Sequence, residues 1–246
     1  MMGRLGRLLA LLLLGVLALQ LYFAGRIALM RMLAPSSTSF QRSEMARLAD
    51  EKHELLWSQQ WVDEAQISRH LQRAVIASED AGFADHGGVD WDALEKAWEK
   101  NQKAEARVQK QAQQQRPGRP APVPKIVGGS TITQQLAKNL FLSGERNLLR
   151  KGQEFALTFM LEGLLDKRRI LEIYLNHVEW GEGVFGAQAA ARHYFRVDAR
   201  QLGPAQAARL AVMLPAPKRF EKRPASPYVI GRAATIEARM GAVELP

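Results

Sequence analysis

Two adjacent carboxylates, Glu79 and Asp80, close an apolar helical run, and the turn that follows, Ala81 to Gly88, carries His86. A carboxylate in the last turn of a helix faces the negative end of the macrodipole. That position and partial burial both disfavour the ionised form and raise its pKa, which suits a group that takes up a proton near neutral pH. The same spacing also fits a solvated helix end. A second segment, Gly128-Gly129-Ser130-Thr131-Ile132-Thr133-Gln134-Gln135, puts two glycines before a helix start, with Thr131 and Gln134 at capping-box spacing. Free backbone N–H groups at such an entry attract an anion, and Lys138 lies near two turns further on; an ordinary capped helix is the alternative. No Lys-Ser/Thr pair follows the glycines, so this is not a Walker loop. In a third segment Arg146, Arg150 and Glu154 are spaced four apart and share one helix face. Surface ion pairs satisfy that spacing. So does a cationic ladder that clamps a diphosphate, with Glu154 orienting the cations or holding a divalent metal.

These side chains need a scaffold, and the apolar periodicity supplies a helical one. Helices are expected over Ser43 to Trp61, Ser68 to Ser78, Arg146 to Leu165, Lys167 to Asn176, Ala187 to Phe195 and Pro204 to Leu214, the last with Pro204 in its first turn and Pro215 as its stop. Strand signals are nearly absent. The glycines Gly181, Gly183 and Gly186 read as architecture that lets backbones approach closely. Residues 96–125, rich in Gln and then in Pro, read as a fraying helix end followed by a mobile basic loop. The expectation is a mostly α domain over residues 45–246, behind a linker at 35–44.

The N-terminus differs in kind. Leu8 to Gly25 carries no charge; this length is near the lower limit for a bilayer-spanning helix and beyond the apolar core of a signal peptide. Residues 1–34 are therefore expected to be a cytoplasmic stub and an uncleaved membrane anchor. The 246-residue chain has a formal net charge of +9 and no cysteine, which excludes disulfides, thiolate catalysis and thiolate metal sites. The charge is unevenly spread. Residues 1–42 hold five Arg and no acid, and residues 96–125 hold eight Lys or Arg against two Glu, so the remainder is slightly acidic. The excess belongs beside an anionic membrane and in a loop; it is not a nucleic-acid surface. The five His have no close pair spacing, which argues against a zinc site.

Taken in order, EDAGFADHGG, GGSTITQQLAKN, RKGQE, KRRILEIYLNHVEWGEGVFGAQAAARHYF and AARLAVMLPAPKRF resemble the five motifs of glycosyltransferase family 51, the peptidoglycan glycosyltransferases, and more closely its monofunctional branch. The resemblance spans residues 79–220. It implies a lysozyme-like helical fold and the joining of lipid II units into β-1,4 glycan strands, with inversion and release of undecaprenyl diphosphate. By motif, Glu79 is implied as general base and Glu154 as a second essential carboxylate, acting directly or through Mg2+ or Mn2+, with no cofactor obligatory. Lys138, Arg146, Arg150 and, more weakly, Lys151 are implied to meet the diphosphate. Ser130, Thr131, Gln134 and Gln135 are implied to line the cleft, and Asp80, Phe83 and His86 to be structural or orienting. The chain ends at Pro246, soon after the last motif, so no transpeptidase domain is expected. The implied setting is the bacterial inner membrane, crossed once, with the catalytic domain in the periplasm. The implied partners are lipid II, the growing glycan chain, the bilayer and other cell-wall synthesis or division proteins. The residues alone leave two rivals: a lytic enzyme of lysozyme-like fold, which has no need of a cationic ladder, and an inactive anchored scaffold.

Overall fold

A computed structural model describes the chain apart from residues 1, 2, 54, 55, 114–122, 124–127 and 146. Helix α1 (Arg4–Leu29) has 26 residues and a mean hydropathy of 2.3 in its most apolar stretch. At 1.5 Å per residue it is about 39 Å long, enough to cross a bilayer. Its Leu-rich first half is exposed, but its last turns enter the domain. Ile27 and Met30 are buried in the core, and Phe23 meets Phe141 at a centroid distance of 5.2 Å. The side chains of Gln20 and Gln153 exchange hydrogen bonds of 2.9 and 3.1 Å. The guanidinium of Arg169 donates to the carbonyl of Met30 at 2.7 Å.

The segment expected as linker is largely helical. Helix α2 (Ser39–Lys52) starts at a capping box in which the Thr38 hydroxyl accepts the Gln41 N–H and the Gln41 side chain accepts the Thr38 N–H. It ends at His53, which takes a left-handed conformation (φ 54°), well short of the expected Trp61. The chain then runs extended as β1 (Ser58–Gln59) because it joins a small sheet with β2 (Glu179–Gly181) and β3 (Val184–Phe185) in the order β1-β3-β2. Strand β1 lies parallel to β3, and β2 antiparallel. Gly183 makes this join possible: its φ is +72°, and a Cβ there would lie 1.9 Å from the Leu56 carbonyl oxygen.

The centre of the core is α3 (Arg69–Glu79) packed against α9 (Pro204–Met213) and α11 (Pro227–Met240). Around it stand α5 (Ile132–Phe141), α6 (Leu148–Leu164), α7 (Lys167–His177), α8 (Ala187–Phe195) and the short α10 (Pro217–Phe220). Helices α3, α5, α6, α7, α8, α9 and α11 each turn an apolar face inward, and the architecture is mostly α, as its periodicity predicts. Pro204 occupies the first turn of α9 as expected. Helix α4 (Trp91–Gln113) is longer than the expected fraying end. Its Ala, Glu, Lys, Gln and Arg are strong helix formers, and no Gly or Pro interrupts it. Most of the Pro-rich part of the 96–125 segment lies outside the described residues.

One buried acid ties β2 to α2 and α10. The Glu179 side chain is 7% exposed, and its nearest cation, Lys218, sits at 3.7 Å while also engaging Glu44. Burial pushes its pKa up to about 7. A raised carboxyl pKa contributes stability that is complete below the unfolded value of 4.5 and lost as pH rises through about 7. Glu179→Gln is therefore expected to raise the melting temperature at pH 8 by about 5 °C and leave it unchanged at pH 4. Scanning fluorimetry at both pH values checks this; equal shifts at both would refute it.

Candidate active site

Helix α3 buries Leu71, Ala74 and Val75, and this fixes where its C-terminus delivers Glu79 and Asp80. The two neighbouring acids face different surroundings. Glu79 accepts a hydrogen bond from the Ser78 hydroxyl at 3.3 Å and one from the Gln135 amide at 3.2 Å. Gln135 is itself oriented by the buried Tyr174, whose hydroxyl donates to Gln135 Oε1 at 2.9 Å. Burial raises the Glu79 pKa above the usual carboxylate range; the bonds from Gln135 and Ser78 pull it down without cancelling the rise, and the charge of Asp80 adds to it.

Asp80 has a structural position. One oxygen accepts the Ile132 N–H at the start of α5 at 3.0 Å, and the other lies 2.8 Å from His86 Nε2. The Gly88 N–H donates to His86 Nδ1 at 3.1 Å, which leaves Nε2 as the donor to Asp80. The Thr131 hydroxyl donates to the Gly88 carbonyl at 2.6 Å and accepts the Gln134 N–H at 3.1 Å. The Thr131 N–H returns to the Gln134 side chain at 3.0 Å, completing the expected capping box. Asp80, His86, Gly88 and Thr131 thus join the first two motifs into one unit. Gly88, at φ +93°, is needed there because a Cβ would come within 2.7 Å of Thr158 and 2.8 Å of Glu162. Phe83 is fully buried, with the Lys167 ammonium 4.5 Å from its ring centroid.

Two cavities flank the N-terminus of α5. One, of about 310 Å³, is lined by Glu79, Asp80, Ser130 and Thr131, and by Lys96 and Lys100 from α4. The other, of about 320 Å³, is lined by Gln134, Gln135, Lys138, Arg150, Lys151 and Glu154, and by Phe40 and Ser43 from α2. Ser130 lines both. Gln135 faces the second cavity while holding Glu79 of the first. A raised-pKa carboxylate on one side and a cationic group on the other suit removal of a proton from one reactant and stabilisation of an anion leaving another.

The cationic side is built on α6. Asn147 caps that helix by accepting the Arg150 N–H at 2.8 Å. Glu154, buried at 3% exposure, accepts from the Arg150 guanidinium at 2.8 Å and also pairs with Lys151. The Arg150–Glu154 spacing therefore makes its expected pair. Lys151, the weaker sequence candidate, is a full member of the cluster. Arg146 lies outside the described residues. Both oxygens of Glu154 are engaged by cations, and no group of three or more metal-ligating side chains occurs among the described residues. The Glu154 carboxylate is thus taken up by Arg150 and Lys151 in this arrangement.

Sequence reasoning missed Tyr174, Lys96, Lys100, Phe40 and Ser43. The two lysines stand four apart, a spacing that could have marked a cationic face, but their nearness to Glu79 depends on how α4 folds back. The rest reach the site through tertiary contacts that no local spacing announces.

The family model described as Transglycosylase matches residues 45–113 and 121–241, passing over part of the Gln- and Pro-rich segment. The chain is 50% identical over 230 residues to a protein of Paraburkholderia phytofirmans named biosynthetic peptidoglycan transglycosylase, a match that covers 94% of this chain and 88% of that one. It is 52% identical over 230 residues to a protein of the same name from Burkholderia pseudomallei, covering 94% and 83%.

Proposed function

The chain belongs to the transglycosylase family, and from that premise we propose that it is a membrane-anchored peptidoglycan glycosyltransferase that polymerises lipid II into β-1,4 glycan strands. Glu79 removes the proton from the acceptor's 4-hydroxyl as that oxygen attacks the donor's anomeric carbon. The bond from that carbon to the diphosphate breaks on the opposite face, so the configuration inverts and undecaprenyl diphosphate leaves. Lys138, Arg150 and Lys151 take up the negative charge that develops on the leaving group, with Arg146 assigned to the same cluster by its motif. Glu154 holds Arg150 and Lys151 in place. A diphosphate leaves as a stable anion, so cations serve it where a general acid would be superfluous. The observation that carries this reading is the placing of Glu79 and the cationic cluster on either side of Ser130, linked by Gln135.

We assign residues 1–34 to the anchor and 45–246 to the catalytic domain, with residues 35–44, which include the start of α2, joining them, and place that domain on the periplasmic side of the inner membrane. A lipid-linked substrate requires a cleft near the bilayer. Gln20, within the uncharged stretch of α1, bonds Gln153 near the start of α6, so α6 begins beside the spanning helix. Its first residues, Leu148 and Leu149, are 90% and 88% exposed, an apolar surface suited to lie against lipid.

The direct test is incubation of the full chain in detergent with purified lipid II, read as a ladder of lysozyme-sensitive glycan products. Digestion of finished peptidoglycan with no such ladder would favour a lytic enzyme instead. Arg150→Ala is expected to lower kcat/KM about 10–100-fold, because it removes one charge-assisted partner of the diphosphate. Unchanged rates across lipid II concentrations would refute the cationic clamp.

A further inference from the structure

Helix α2 stands between the anchor and the domain, and two of its side chains face the cationic cavity. Phe40 and Ser43, three residues apart and so neighbours on one helix face, line it together with Lys138, Arg150 and Glu154. This wall is braced from behind. Thr38 and Gln41 lock its first turn, and the Phe40 ring rests edge-on against the buried Phe185 at 6.2 Å. Further along, Glu44 pairs with Lys218, and Arg47 with Glu182 at 2.9 Å. The Ser43 hydroxyl donates to the Phe40 carbonyl at 2.8 Å, so its oxygen lone pairs are left to accept from a ligand.

Neither residue is needed for the proton transfer or for the diphosphate charge. An aromatic face and a hydroxyl beside a cationic cluster are suited to what adjoins a diphosphate, namely a sugar ring with apolar C–H faces and polar hydroxyls. Resting on the proposed function, we infer that α2 is a wall of the substrate site, and that Phe40 and Ser43 contact the sugar attached to the donor's diphosphate. The segment leaving the membrane is then a specificity-determining part of the site as well as a connector.

The test uses the full chain carrying Glu79→Gln, in which turnover is expected to be about 10³-fold slower, and fluorescent lipid II in detergent. Adding Ser43→Trp, which fills the cavity, is expected to weaken binding about tenfold with an unchanged melting temperature. Phe40→Leu, which keeps an apolar contact with Phe185, is expected to weaken it about threefold. In the active chain, Ser43→Ala should raise KM about two- to threefold and leave kcat unchanged. Lipid II affinity equal to the parent's in both binding variants, or a Ser43→Ala chain whose KM does not move, overturns the inference. Should Ser43→Trp fail to fold, Phe40→Leu and Ser43→Ala decide. Polymerisation by the unsubstituted chain tests the proposed function separately, so the two can fail independently.

Discussion

Glu79→Gln is expected to lower glycan polymerisation from purified lipid II by about 10³-fold, within the range that a positioned general base contributes. The amide is isosteric and can still accept from Ser78, but it cannot take up the acceptor's proton. The fold should survive, because replacing a carboxylate whose ionised form is disfavoured by burial removes a cost. An unchanged or slightly raised melting temperature together with a lost product ladder is the expected pair of results. The pH dependence follows with its sign. The base works only when ionised, so the rate of the unsubstituted enzyme should fall as pH drops through the raised Glu79 pKa, at a pH above that of an ordinary glutamate. Retained polymerisation by the variant would remove Glu79 from the base role.

Asp80→Ala should act in the opposite manner, through the scaffold. It leaves the His86 donor and the first amide of α5 without their shared acceptor in a buried setting. Leaving two buried donors unsatisfied costs about 1–3 kcal/mol each, which for a domain of this size lowers the melting temperature by about 10 °C. Activity should fall with it, because α5 carries Gln135 and Lys138 to the cationic cavity and Gln135 holds Glu79. Thermal melts and the lipid II assay on the same protein check both parts. A melting temperature like that of the parent would show that His86 and α5 do not depend on this carboxylate. Two consecutive acids thus separate experimentally, one through rate alone and the other through stability and rate together.

The elements that could be read in the sequence were those with local causes. Helix α8 runs over Ala187–Phe195 as its periodicity predicts, α9 begins at Pro204, and the Thr131–Gln134 box caps α5. The strands were illegible because two or three residues cannot display an alternating pattern, and β1 forms only by pairing with a strand more than a hundred residues away. The same long-range join stops α2 at Lys52, where local propensity alone would let it continue. At the candidate site, the Glu79 helix end and the Arg150–Glu154 pair followed from spacing. The bond from Tyr174 to Gln135, and the approach of Lys96, Lys100, Phe40 and Ser43, depend on how helices pack and leave no local trace.

The junction at Gln20, Phe23, Ile27 and Met30 has a mechanical consequence. A catalytic head on a floppy leash would sample many heights and tilts above the lipid, and most encounters with a lipid-borne reactant would be misaligned. A head fused to its post keeps one elevation and one tilt. Under the proposed function, the search for substrate is then confined to the plane in which a lipid-linked substrate diffuses, and each disaccharide added leaves the cleft at the same height and angle to the membrane.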